Sequence, residues 1–300
     1  MAAIFKSAPL FGVPEGLVFA VKKELCKVTF APVESQVWRG GFMARNRDRA
    51  KFSVKEIFVN VSRMTMREFA EAAAAFKIAL LPVGSTEEHG LHLPLDTDTM
   101  QIVRTAELAA EKVPFLICPP LHYGYCRSTS DHPGTISISP KTLRRLIFDI
   151  GESLHKNGIR GLIIASGHAG GIHMSALEES GEALAQKFPD LELAVFCEYH
   201  WAKEVLASGV IQTTDDGHAG EIETSRILAL DPTLVKGMSP EEYPRFEKPF
   251  ISRKKLSDWP GGVWGNPSLA TAGKGEAIYR ITSQKLVALV RRMKERLAER

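Results

Sequence analysis

At 300 residues, with 44% hydrophobic and 24% charged side chains, the chain has the proportions of an ordinary globular protein of one large or two modest domains, which excludes disordered and fibrous classes. The net charge of +3 is small and spread along the chain. With no Lys/Arg cluster interleaved with aromatics, nucleic acid is not an expected partner.

Residues 1–55 lack clear periodicity and carry a Gly40-Gly41 pair and a basic run at Arg45, Arg47, Arg49 and Lys51. They read either as a peripheral N-terminal extension or, if translation begins at Met43, as partly foreign to the natural protein. The apolar run from Pro9 to Val21 is broken by Pro14 and Glu15 and makes a poor signal peptide. No apolar run approaches the roughly 20 residues of a membrane span. Cys26, Cys118, Cys126 and Cys197 lack paired spacing and read as reduced, mostly buried thiols, so a cytoplasmic location without a membrane partner is expected.

Residues 56–300 read as the working domain. Phe58 and Val61 mark a strand-like entry, and Thr65-Met66-Arg67-Glu68 has the form of a capping box ahead of an alanine-rich helix. Strand Ile78 to Val83 follows and opens into STEEHGLHLPLDTD. Asp98 then stands at a plausible N-cap of a helix from Met100 to Lys112. Strand Phe115 to Cys118 stops at Pro119-Pro120. A loop carrying Arg127, Asp131 and His132 leads to Ser139-Pro140, a helix start that Gly158 closes. Strand Gly161 to Ala165 runs into Ser166-Gly167-His168-Ala169-Gly170-Gly171. A helix from about His173 to Phe188 and strand Leu191 to Phe196 complete the alternation.

Strands alternating with helices of this length predict an α/β fold, a mostly parallel central sheet with helices on both faces. Ligands gather beyond the carboxyl ends of such strands. That is where Glu87 and His89, Arg127 and His132, and His168 fall. Farther on, a helical run to Leu230 puts Glu221 and Ser225 on one face with His218 at or before its first turn. Residues 240–264 read as a long loop, and an amphipathic helix from about Ser283 ends the chain.

Glu87, Glu88, His89, His92, Asp96 and Asp98 crowd a dozen residues, and divalent cations would let such carboxylates stay ionised. Singly, each residue reads more simply: a lone histidine is usually a satisfied group, and an aspartate before a helix is usually its cap. Gathered at three strand ends, a metal site is the better reading. Mixed His and carboxylate donors suit Zn, Mn or Fe. The Gly-rich turn after the third strand lacks both the G-x-G-x-x-G pattern and a Walker lysine. Ser85 and Cys126 lack nucleophile signatures.

Pro82-x-Gly84-Ser85-x-Glu87-x-His89-Gly90-x-His92-Leu93-Pro94-x-x-Thr97-Asp98, with Pro133-Gly134-Thr135, Gly167-His168-x-Gly170, His218-Ala219-Gly220-Glu221-x-Glu223-Thr224-Ser225 and Gly262-Val263-x-Gly265-Asn266-Pro267, resembles the creatininase (creatinine amidohydrolase) family over about residues 55–280. The resemblance implies a single creatininase-like domain, commonly a homohexamer, with two divalent metal ions per subunit. It implies that Glu87 and His168 bind one ion, His89 the other and Asp98 both, with His218 as the catalytic histidine. Creatininase has a glutamate where this chain has Gly170, and Glu221 is the expected replacement. Many relatives also have asparagine at the positions of Ser166 and Gly171. The expected reaction is hydrolysis of a non-peptide C–N bond in a small molecule, a cyclic amide or formamide, by a metal-bridging hydroxide, with His218 passing a proton to the leaving nitrogen. Arg127, His132 and Trp264 are the expected substrate contacts. Glu88 and Asp96 are read as bystanders and His92 as a support. Rival readings are hydrolysis of a cyclic ketone of keto-inositol type at the same site, and a metal-binding or assembly protein without turnover.

Overall fold

Thr65 starts the first helix, α1 (Met66–Phe76), in a computed structural model that describes residues 59–204 and 209–300. The expected extension, residues 1–55, and Cys26 lie outside the described residues. Glu68 N–H donates to the Thr65 hydroxyl while the Glu68 carboxylate accepts the Thr65 N–H, the capping box anticipated from sequence. Lys77, at φ 56, ends the helix and turns the chain into β1 (Ile78–Val83).

β1 pairs with β2 (Leu116–Ile117) on one side and β3 (Gly161–Ser166) on the other, and β3 pairs with β4 (Glu192–Cys197). All pairings are parallel, in the order β2-β1-β3-β4. β1 and β3 are buried throughout, the near-continuous apolar run of a sheet covered on both faces. Alternation divides their side chains. Ala79, Leu81, Leu162 and Ile164 pack with Ala73 of α1, Leu143 and Ile147 of α3 (Pro140–Lys156) and Leu177 and Leu184 of α4 (Gly171–Lys187). Ile78, Leu80, Ile163 and Ala165 pack with Ile102, Ala106 and Ala109 of α2 (Thr97–Ala110) and with Leu286, Val290 and Met293 of α8 (Ala272–Ala298). The predicted α/β architecture with helices on both faces is the one observed.

Boundaries moved for identifiable reasons. Prolines at 114 and 119 trim β2 to two residues, and Val61–Arg63 forms a 3-10 turn in place of a strand entry. α2 begins at Thr97, so Asp98 lies inside the first turn and Asp96 takes the N-cap position. α8 starts about eleven residues before the predicted point. There a Cβ on Gly275 would collide with the Ser225 carbonyl of α6 (Glu221–Leu230), so a residue that weakens an isolated helix permits close packing here. Two short helices, α5 (Glu198–Lys203) and α7 (Lys255–Asp258), complete the elements used below. No helix among the described residues is long and apolar enough to cross a membrane.

Candidate metal centre

The chain leaves β1 for β2 on one side and crosses back to β3 on the other, so the β1/β3 boundary is the switch point where an open α/β sheet offers a crevice. Val83 and Ser166 are in register there, and Gly167 N–H donates to the Val83 carbonyl. Two glycines let α2 close over this end: a Cβ on Gly84 would strike the Thr99 backbone, and one on Gly167 would strike the Asp98 carbonyl. The first turn of α2 thus sits between the two strand ends and carries Asp98 with it.

Asp98 is the centre of the cluster. Its Oδ1 lies 3.2 Å from His89 Nε2, and its Oδ2 lies 3.1 Å from His168 Nδ1 and accepts from the Ser85 hydroxyl at 2.6 Å. His168 Nδ1 is also 2.9 Å from Glu87 Oε2, while the other Glu87 oxygen accepts from Thr129. His89 Nε2 faces Glu223 Oε2 at 3.7 Å. All five of these histidine and carboxylate side chains are buried.

Each histidine is oriented by the nitrogen that points away. His89 Nδ1–H donates to the Glu87 carbonyl at 3.0 Å, and His168 Nε2–H donates to the Tyr125 carbonyl at 3.2 Å. Both rings therefore aim their remaining nitrogen at the carboxylates, the arrangement usual for imidazole ligands. Ser166 braces the β3 turn by donating to the His168 carbonyl and accepting the His168 N–H. His173, which accepts the Tyr125 N–H on Nδ1, donates to the same hydroxyl from Nε2.

Electrostatics test whether this donor set fits cations. Burial pushes the Glu87 carboxyl up, but the adjacent His168 outweighs it and holds the group at about 2. Burial likewise opposes ionisation of Asp98, yet His89 and His168 hold it well below the usual carboxylate range. The imidazoles move in the opposite sense. Burial lowers His89, but Asp98 and Glu223 raise it to about 10, and the same balance puts His168 well above its ordinary value. Glu87 and Asp98, both buried, are thus tolerable only beside positive charge. Protons on His89 and His168 provide it here, and divalent cations would replace them on the same atoms. Ligand atoms of His89, Asp98 and Glu223, of Glu87, His89 and His218, and of Glu87, Cys126 and His168 each come within 4.8 Å of one another. A mixed oxygen and nitrogen set of this kind fits Zn, Mn or Fe.

Glu221 does not join this cluster. Its carboxylate accepts from the Gln212 and Thr213 N–H groups, the Thr213 hydroxyl and Lys274. Successive helical residues are rotated by about 100°, so a residue two positions along faces nearly the opposite way. Glu223 is that residue. Its Oε2 accepts the Ala219 N–H at 2.6 Å and faces His89. Asp216 fixes this rotation by accepting the N–H groups of Glu221 and Ile222 at the start of α6.

His218 stacks on His89 with ring centroids 4.2 Å apart and lies near Trp259. Its Nε2–H donates to the Glu88 carbonyl at 2.8 Å, with the Glu88 carboxylate at 3.5 Å. Burial and His89 lower the affinity of this ring for a proton, but Glu88 more than compensates and its pKa is raised. Glu88, read as a bystander from sequence, is therefore the partner of His218. Asp96 is half exposed and pairs with His122, away from the cluster. His92 is a support, bridging Ser239 and Thr224 through its two ring nitrogens.

Above the cluster lies a cavity of about 550 Å³ whose lining includes Glu87, Asp98, His168, His218 and Glu223. Arg127 and Trp264 line it. His132 does not: it is buried, donates to the Trp259 carbonyl at 2.6 Å and supports that ring edge-on. Lys248, Phe250, Ile251 and Lys255 also line the cavity. Sequence reading missed them because residues 240–264 carry no periodicity to say which side chains turn inward. Cys118, Cys126 and Cys197 are free and buried, as expected.

The family model described as creatinine amidohydrolase matches residues 62–290. The chain is 31% identical over 217 residues to a mycofactocin precursor peptide peptidase of Mycolicibacterium smegmatis, covering 67% of this chain and 79% of that one. It is 29% identical over 263 residues to a creatinine amidohydrolase of Pseudomonas putida, covering 79% of this chain and 97% of the relative. Among solved structures, a mutant creatininase of Zn-Zn type superposes with a TM-score of 0.72 at 25% identity over 78% of this chain and 97% of that one.

Proposed function

The chain belongs to the creatininase family of metal-dependent amidohydrolases, and from that premise we propose that it hydrolyses an amide C–N bond at two adjacent divalent cations. The observation that carries the reading is the division of Asp98, one oxygen toward His89 and the other toward His168. Glu87 and His168 would hold one ion, His89 and Glu223 the second, and Asp98 both. Glu223 thus stands in for the carboxylate absent at Gly170. Cations in such a site supply Lewis acidity and make hydroxide available near neutral pH.

The chain's own residues do the rest. Ser85 and Thr129 hold Asp98 and Glu87 in place by donating to their oxygens. His218, with a proton on Nε2 shared with the Glu88 carbonyl, lines the cavity beside His89 and is the group available to deliver a proton to the leaving nitrogen. Trp259 and Trp264 wall the cavity around that transfer. The named activities of the two relatives, one on a peptide and one on creatinine, have amide hydrolysis in common, and that shared step is the reading offered.

The test is metal analysis of gently purified protein together with a hydrolysis screen of cyclic amides, formamides and short peptides. Two ions per chain and turnover of an amide are expected. His218→Asn should keep both ions and lose about 10²- to 10⁴-fold in kcat. Absence of divalent metal from the purified protein would overturn the proposal.

A further inference from the structure

The cavity over the cluster has an uneven distribution of charge. Its acidic lining residues are Glu87, Asp98 and Glu223, all of them at the metal centre. Its basic lining residues are Arg127, Lys248 and Lys255, from the loop after β2 and from the 240–264 segment. Three acids against three bases give a neutral cavity with the histidines uncharged. On the reading above, two divalent cations shift that balance to a net charge of +4.

Nothing else in the described lining offsets this. Lys255 is tied down, its Nζ donating to Ser130 at 2.6 Å and its N–H to Asp131 at 3.2 Å, which joins the two cationic segments. Arg127 and Lys248 have no ion-pair partner among the described residues, and both are exposed. Next to them, Phe250 and Ile251 are 71% and 73% exposed while still lining the cavity, an apolar surface with nothing described covering it. Phe246, Trp259 and Trp264 extend the same apolar character inward.

We propose that Arg127 and Lys248 are specificity residues that bind a carboxylate carried by the substrate, an amide that also presents an apolar group. The inference deepens the reading of the cavity as an amidohydrolase site and rests on it. Guanidinium and ammonium groups without ion-pair partners among the described residues, lining a cavity that carries net positive charge when loaded, favour an anion over a neutral amide of the same shape. The exposed Phe250 and Ile251 favour a hydrocarbon portion beside it.

Binding, measured without requiring turnover, tests this. Calorimetric titrations of the metal-loaded full chain would use matched pairs: N-formylphenylalanine against N-formylphenethylamine, and 5-oxoproline against 2-pyrrolidinone. The carboxylated member of the aromatic pair should bind at least about tenfold more tightly. That ratio should fall to within about twofold of unity in an Arg127→Gln, Lys248→Gln double variant whose metal content is unchanged. A carboxylate also binds cations directly, so a ratio that persists in the double variant would assign the preference to the ions and overturn the inference. Equal binding of both members by the wild type would overturn it too. Metal content is read on the same samples. Two ions with no carboxylate preference refute this inference alone, whereas absence of ions refutes the amidohydrolase reading.

Discussion

Replacing Glu223 and Glu221 one at a time by glutamine separates two carboxylates that stand two residues apart on one helix. Glu223→Gln keeps the size of the side chain and an acceptor for the Ala219 N–H, but removes the negative charge facing His89 at 3.7 Å. The second ion would then keep only His89 and a shared Asp98. Loss of groups that merely orient ligands costs roughly 10- to 100-fold in metal affinity. Loss of a ligand itself should therefore cost at least about 100-fold, or ~2.7 kcal/mol. Glu221→Gln acts on stability instead. It removes the anion that pairs with Lys274 and accepts from the Gln212 and Thr213 N–H groups. Weakening such a buried set costs about 1–3 kcal/mol, which for a domain of this size is a fall in Tm of about 2–10 °C. The assay is elemental analysis after equilibrium dialysis against micromolar Zn or Mn, paired with thermal unfolding. We expect one ion per chain in Glu223→Gln and two in a less stable Glu221→Gln. Two ions retained in Glu223→Gln, or one lost from Glu221→Gln, would refute the assignment of the second ion's carboxylate.

Three further outcomes follow from the same geometry. Arg226 and Glu198, both buried, form a bidentate pair at 2.5 and 2.7 Å with the guanidinium over Tyr279, so Arg226→Met should destabilise the fold by about 3–5 kcal/mol; denaturant titration showing under about 1 kcal/mol would contradict a structural role for the pair. His92 is buried, and burial followed by repulsion from His89 and His218 lowers its pKa to about 4. Between pH 6.5 and 4 the unfolded chain binds this proton more readily than the folded one, so stability is complete above pH 6.5 and falls as pH drops. The loss by pH 5 is about 1–2 kcal/mol, and urea titrations should show a shallower decline in His92→Gln. Burial pushes the Cys118 thiol up to about 12, so iodoacetamide at pH 8 should label it only after unfolding, as read by peptide mass spectrometry.

Much of the sheet and half of the candidate site were legible from residue order. β1 and β3 were predictable because strands covered on both faces carry uninterrupted apolar side chains, and the capping box at Thr65 and the Ser139-Pro140 start are local devices that need no tertiary contact. Glu87, His89 and His168 could be singled out because they stand just beyond strand ends, and Asp98 because it closes the same crowded stretch of carboxylates and histidines. Glu223, and not the expected Glu221, turns toward the cluster for a physical reason. Both lie in one motif, and only the rotation of α6, set by Asp216 and by its contact with α8 at Gly275, decides which one points inward. His132 illustrates the same limit: a histidine in a polar loop gives no local sign that its Nε2–H is taken by a carbonyl 127 residues away.

The amino-acid order by itself determined the alternating α/β layout, the presence of a metal-type donor set and the family, because periodicity, caps and tightly spaced ligands are properties of neighbouring residues. Tertiary structure decided which carboxylates converge, that Glu88 partners His218, and that Arg127, Lys248 and Lys255 line one cavity with Phe250 and Ile251. Those outcomes depend on helix rotation and on the approach of segments more than a hundred residues apart. Sequence spacing does not encode either of them.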